Sequence, residues 1–193
     1  MFSLENLIKV FFGLEKDKPK CEKVVIKETP KEESRKEINE RNIERYLSEL
    51  ENILVSLNID KENVMLTGSI ALFKQNIMPD DRLIHDVDVV VKGDATVDRD
   101  LQTLVKIYGG TESWKEKEYY NQLGAKHKPF IFTRNEVVFN FWVIDDTMDF
   151  DTELKSKEGY YVATLKHVLD AKKSYGRQKD LKDILSIVNL ILN

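Results

Sequence analysis

Two aspartates two residues apart, Asp86 and Asp88, open the segment Asp86-Val87-Asp88-Val89-Val90-Val91, whose other members are all valine. On an extended chain, successive side chains alternate between faces. Asp86, Asp88 and Val90 therefore share one face and Val87, Val89 and Val91 the other. Two carboxylates on one face can grip the same divalent cation or a pair of cations. Magnesium takes oxygen ligands and is usually held by one or two carboxylates together with substrate phosphates. In two-metal phosphoryl transfer, one ion activates the attacking hydroxyl and the other steadies the leaving pyrophosphate. Charges that head an apolar strand are costly unless they reach a cation or solvent. Upstream, Thr67-Gly68-Ser69 supplies a matching half. Glycine lets the backbone approach a phosphate, and a hydroxyl at a helix start can donate to it. Alone, a D-x-D or a Gly-Ser step is a weak signal. Both in one short stretch favour chemistry over an ordinary acidic strand end.

The elements that must position these residues follow from the apolar pattern. Ser34-Arg35-Lys36-Glu37 has the form of a capping box. Ile43, Tyr46, Leu47, Leu50, Ile53, Leu54 and Leu57 then mark the buried face of a helix. Val64–Leu66 reads as a short buried strand, followed by a short helix through Phe73 and a second strand over Asp86–Val91. Leu101, Leu104, Val105 and Tyr108 predict a helix stopping at Gly109-Gly110. Pro129–Arg134 and Val137–Ile144 form a predicted hairpin turning at Asn135-Glu136. Tyr160–Val162 is a third short strand, and 164–174 and 179–192 are two closing helices broken near Tyr175-Gly176. The order predicts an α/β (α+β) domain over 34–193, with a small mixed sheet flanked by helices.

Ahead of it, Leu4, Leu7, Ile8, Phe11 and Phe12 share one helical face, and a polar stretch with Pro19 and Pro30 follows. Residues 1–33 therefore read as an amphipathic helix on a flexible arm, with Val24–Ile26 a short extended piece. Protein docking or self-association through residues 1–14 is the expected use. Only Lys9 is basic within them, which leaves little electrostatic help for lying on a membrane. No apolar run approaches a membrane span, so stable insertion is not expected. The single cysteine, Cys21, excludes an internal disulfide and fits a reducing, cytoplasmic setting or incorporation in a large assembly. A net charge of −4 argues against a protein that coats nucleic acid.

The motifs resemble a known family. Leu66-Thr67-Gly68-Ser69-Ile70-Ala71-Leu72, followed by Arg82-Leu83-Ile84-His85-Asp86-Val87-Asp88, is similar to the G-[GS]-x-A-L … R-x-x-x-D-x-D pattern of AbiEii-like nucleotidyltransferases, within the polymerase-beta-type superfamily. Leu165-Lys166, Ala171-Lys172, Arg177 and Lys179-Asp180-x-x-Asp183 are similar to that family's later lysine and R-x-K-D-x-x-D segments. The resemblance spans about residues 60–190. It implies the nucleotidyltransferase fold and transfer of a nucleotidyl group from an NTP to a hydroxyl of RNA or protein. Asp86 and Asp88 would hold Mg2+, and Gly68 and Ser69 would meet the triphosphate. Lys166 would neutralise phosphate charge, with Lys179 and Asp180 as a pair on the nucleotide side. For both lysines the residues alone favour a solvated helix face.

One position departs from the pattern. The superfamily carries a third carboxylate on a later central strand, and here that position falls on Asn140. An amide brings no negative charge and cannot act as a general base. Asp145 has the opposite strand parity, and Asp146 lies roughly 20 Å further along. Two readings stay open: an enzyme with an atypical site, or a catalytically inactive protein with a structural or docking role in an assembly such as a virion. The remaining candidates read as ordinary. Asp145, Asp146, Asp149, Asp151 and Glu153 suggest a solvated loop. His85, His127 and His167 lack zinc spacing. Trp114, Lys115, Lys117, Tyr119, Tyr120, Lys126 and Lys128 mix aromatic and basic residues in a way that suits either strand packing or a nucleic-acid acceptor.

Overall fold

The capping box at Ser34 forms as the sequence predicts. The Ser34 amide donates to Glu37 Oε2 at 2.8 Å, and the Glu37 amide returns to Ser34 Oγ at 3.3 Å. These bonds start α1 (Arg35–Ser56). In chain order, β1 (Val64–Leu66), α2 (Gly68–Lys74), β2 (Asp86–Lys92), α3 (Ala95–Ile107), β3 (Thr111–Glu112), β4 (Phe130–Arg134), β5 (Val137–Ile144), β6 (Thr152–Lys155), β7 (Tyr161–Ala163), α4 (Leu165–Tyr175) and α5 (Leu181–Leu192) follow. The computed structural model describes residues 33–112, 129–150 and 152–192, all in one compact unit. The expected 1–14 helix, Val24–Ile26, Cys21, His127, Asp151 and the 114–128 segment lie outside the described residues.

Among the described residues the strands make one mixed sheet in the order β3-β4-β5-β2-β1-β7-β6. β2 lies at its centre, antiparallel to β1 and parallel to β5. The fold is thus α+β, with helices on both faces. One face packs Val64, Leu66, Val87, Val89, Val91, Phe139 and Phe141 against α1 and α3. The other packs Met65, Val90, Trp142 and Ile144 against α2, α4 and α5. The strand alternation therefore holds: the odd-numbered valines of β2 enter the first core, and Val90 enters the second. Asp86 and Asp88 head that second face.

The β4–β5 hairpin turns on Asn135 and Glu136, both at positive φ (48° and 65°), the conformation that a tight two-residue turn demands. Three features differ from the sequence reading. α3 begins at Ala95, a turn earlier than its apolar face suggested, because Asp94 caps it by accepting from the Thr96 and Val97 amides. The two-residue β3 pairs with β4. The acidic run is not all loop: Thr152–Lys155 pairs antiparallel with β7 through an irregular register at Thr152/Leu154. That bulge blurs the alternation by which strands are read. Asp145 does stay in a turn, accepting from the Thr147 amide and hydroxyl. No described helix is long and apolar enough to cross a membrane.

One buried polar residue of α1 fixes the approach to β2. Asn39, 1% exposed, donates from Nδ2 to the Arg82 carbonyl and accepts from the Ile84 amide through Oδ1, both at 2.9 Å. Tyr46 Oη adds a donation to the Ile84 carbonyl at 3.3 Å. A single side chain thus serves both backbone groups of the segment leading to Asp86. Replacing Asn39 by Ala leaves a buried N–H and C=O without partners, so about 2 kcal/mol of stability should be lost. Urea unfolding checks this, and a loss below about 0.5 kcal/mol would contradict the clamp.

Candidate functional site

Gly68 and Asp88 meet at the start of α2. The Thr67 amide donates to the Asp88 carbonyl at 3.0 Å, which brings the loop after β1 against β2. Gly68 then adopts φ 61°, and a Cβ at that position would lie 2.0 Å from Asp88 Oδ2. Both backbone shape and space exclude a side chain here. The Asp88 carboxylate lies against the turn, and its other oxygen, Oδ1, accepts from Asn140 Nδ2 at 2.8 Å. That bond follows from the sheet: Asp88 and Asn140 are register partners in the parallel β2–β5 pair.

An open cleft of about 370 Å³ lies beside this turn, lined by Ser69, Asp81, Arg82, Leu83, His85, Asp86, Lys179 and Lys182. Its walls carry the cations Arg82, Lys179 and Lys182 against the carboxylates of Asp81 and Asp86. Lys182 pairs with Asp81 across the mouth. Asp86 faces the cleft, and Asp88 sits behind it beside Gly68. Of the residues predicted for the site, Ser69, Asp86 and Lys179 line the cleft, and Gly68, Asp88 and Asn140 meet one another at the adjoining turn. Lys166 does not line the cleft: it is 80% exposed on α4 and bonds Asp170 one turn on at 2.9 Å. Lys179 and Asp180 also part company. Lys179 points to solvent at the cleft, and Asp180 is fully buried.

Beneath the cleft lies an ion cluster in which the sequence reading assigns a role to Asp180 alone. Asp180 and Asp183 are both 0% exposed, and the Lys172 side chain is 4% exposed. Lys172 Nζ bonds Asp183 Oδ2 at 2.7 Å and Asp180 Oδ1 at 3.2 Å. Arg177 Nε bonds Asp180 Oδ2 at 2.6 Å. Arg82 Nη1 bonds Asp183 Oδ2 at 2.6 Å and the Lys179 carbonyl at 2.9 Å, and its Nη2 reaches Ser69 Oγ at 3.2 Å. Lys172, rather than the expected Lys166, is the α4 lysine brought against these carboxylates. The signal available was its position: it follows Ala171 on the apolar face of α4, where a lysine must find carboxylates.

Among the described residues, no three His, Cys, Asp or Glu side chains gather tightly enough to hold a metal ion. Asp86 at the cleft, with Asp88 behind it, fits a cation that arrives with substrate phosphates. It does not fit a site that binds metal by protein ligands alone. No family model, curated protein or solved structure gives a significant match to this chain.

Two outcomes test this geometry. Gly68→Ala should cost at least about 1–2 kcal/mol from the backbone alone, plus displacement of Asp88; a neutral result in thermal unfolding would show that Asp88 is not held against the turn. The second is a pH dependence. Burial pushes the Asp180 carboxyl up, but the Arg177 hydrogen bond and the Lys172 and Arg177 charges outweigh it and leave the carboxyl below its ordinary value. A lowered folded-state pKa stabilises the fold fully above the ordinary carboxylate range, about 3.9. This stability is lost as pH falls through the folded-state value. Asp180→Asn should therefore be less stable than wild type at neutral pH, with a gap that narrows as the pH falls below the ordinary carboxylate range. An unchanged gap in acid titrations followed by circular dichroism would exclude this cluster as the source.

Proposed function

We propose that this chain is a nucleotidyltransferase-fold protein of the AbiEii-like type that binds a nucleoside triphosphate with magnesium in the Ser69–Asp86 cleft. The observation that carries the reading is convergence. Ser69, Arg82, Asp86 and Lys179, from three separated motifs, line one opening. The opening has more cations than carboxylates, although the chain's net charge is −4. Ser69 and Lys179 would face phosphate oxygens, and Asp86 with Asp88 would hold the accompanying magnesium, which supplies charge neutralisation at the phosphates. The chemistry such a cleft suits is nucleotidyl transfer to a hydroxyl of RNA or protein.

One observation favours a second reading, in which nucleotide binds without turnover. Asn140 occupies the register position opposite Asp88 and donates to it. It supplies neither a third negative charge nor a proton acceptor for an attacking hydroxyl. Asp145 turns back on Thr147, away from that duty. Under this reading the domain serves as a nucleotide-responsive or docking part of a larger assembly.

Calorimetric titration with each of the four NTPs in magnesium tests the first reading. At least one should bind, and Asp86→Ala should weaken it about tenfold or more, a loss of about 1.4 kcal/mol. Absence of heat with every NTP would overturn it. Labelled-NTP incubation with RNA and protein acceptors separates the two readings: transfer lost in Asp86→Ala and Asp88→Ala supports the enzyme, and binding without transfer supports the silent form.

A further inference from the structure

Arg82 sits where the cleft floor meets the buried ion cluster, and both of its terminal nitrogens are engaged by protein groups. Nη1 donates to the Lys179 carbonyl and is ion-paired with Asp183 Oδ2, and Nη2 donates to Ser69 Oγ. Asp180 Oδ1 is a further 4.0 Å neighbour. Its main chain is fixed as well, since the Arg82 carbonyl accepts from Asn39 and its amide donates to the Pro79 carbonyl. The side chain is only 17% exposed. Of its contacts, the Nη2 bond to Ser69 Oγ is the one that reaches a hydroxyl lining the cleft.

A serine hydroxyl has one proton and two lone pairs. Arg82 occupies a lone pair of Ser69 Oγ. No described residue accepts the Ser69 proton. Ser69 is 6% exposed and lines the cleft, so that proton is available to an acceptor there. We propose that Arg82 is a positioning residue: anchored by Lys172 through Asp183, it sets the Ser69 hydroxyl as a hydrogen-bond donor to a phosphate oxygen in the cleft. This inference rests on the nucleotide-binding reading and names the atom that meets the phosphate chain and the groups that aim it. The guanidinium fork matters, because it reaches Asp183, the Lys179 carbonyl and Ser69 in three directions at once. A lysine ammonium at this site cannot reproduce that geometry.

The test is a double-mutant cycle on binding of Mg-ATP and of magnesium tripolyphosphate, measured by calorimetry on the full chain. Tripolyphosphate isolates the phosphate chain from base and sugar. Ser69→Ala should weaken both probes about tenfold, the scale of a hydrogen bond to a charged group. Arg82→Gln should weaken them by a similar factor, and the double variant should lose little more than either single one. Arg82→Lys should fail to restore binding. A general structural role for Arg82 would act equally with and without the Ser69→Ala substitution, so additive losses would overturn the proposal. If Arg82→Gln does not fold, the isosteric Asp183→Asn carries the same cycle, with the same non-additivity expected. If wild type binds neither probe, the nucleotide reading fails and this inference with it. Binding with additive losses removes the relay and leaves that reading standing.

Discussion

Two carboxylates with no solvent exposure, Asp180 and Asp183, set the terms for the rest of this domain. Stripped of water, a carboxylate is tolerable only when cations and donors surround it. Lys172 from α4, Arg177 from the following turn and Arg82 from the approach to β2 supply them. Through these pairs α4 and α5 are tied to the loop ahead of β2. Removing one partner leaves a buried charge exposed to its own desolvation cost, which is larger than the worth of any single ion pair. The cluster is therefore best seen as a set of mutual obligations that fixes geometry, and the geometry it fixes is the cleft floor.

The second constraint is the register between β2 and β5. Parallel pairing places Asp88 opposite Asn140, and the amide answers the carboxylate directly. With Gly68 folded tightly over its other oxygen, Asp88 is held by its own protein on both sides. Asp86, one pleat earlier, stands at the opening. The two aspartates look equivalent by strand parity, yet the sheet and the turn give them different surroundings.

The sequence shows most of this fold because local and tertiary preferences agree there. The capping box at Ser34, the apolar face from Ile43 to Leu54, the valine alternation of β2 and the Asn135-Glu136 turn each carry their instruction in a few neighbouring residues. The missed strands do not. β3 is two residues long, and β6 is four residues long and bulged, so neither has a period to read. The site divides in the same way. Asp86, Asp88 and Asn140 declare themselves by strand position, and Gly68, Ser69 and Lys179 by motif. Lys166 and Lys172 both lie on α4, and only packing separates the solvated one from the buried one. Asn39 was visible in principle as an amide in line with Ile43 and Tyr46, but its partners lie more than forty residues away and leave no local trace.

The Arg82–Lys179 contact has a consequence for how the domain is made. It joins residues 97 apart in the chain, and the Lys182–Asp81 pair at the mouth joins residues 101 apart. Closing loops of that length has an entropic cost that only late, collective packing repays. A nascent chain can possess α1, the Gly68 turn and the β2 carboxylates and still have no cleft, because its floor arrives with α4 and α5. The cleft is consequently complete only once α5 has been made and docked.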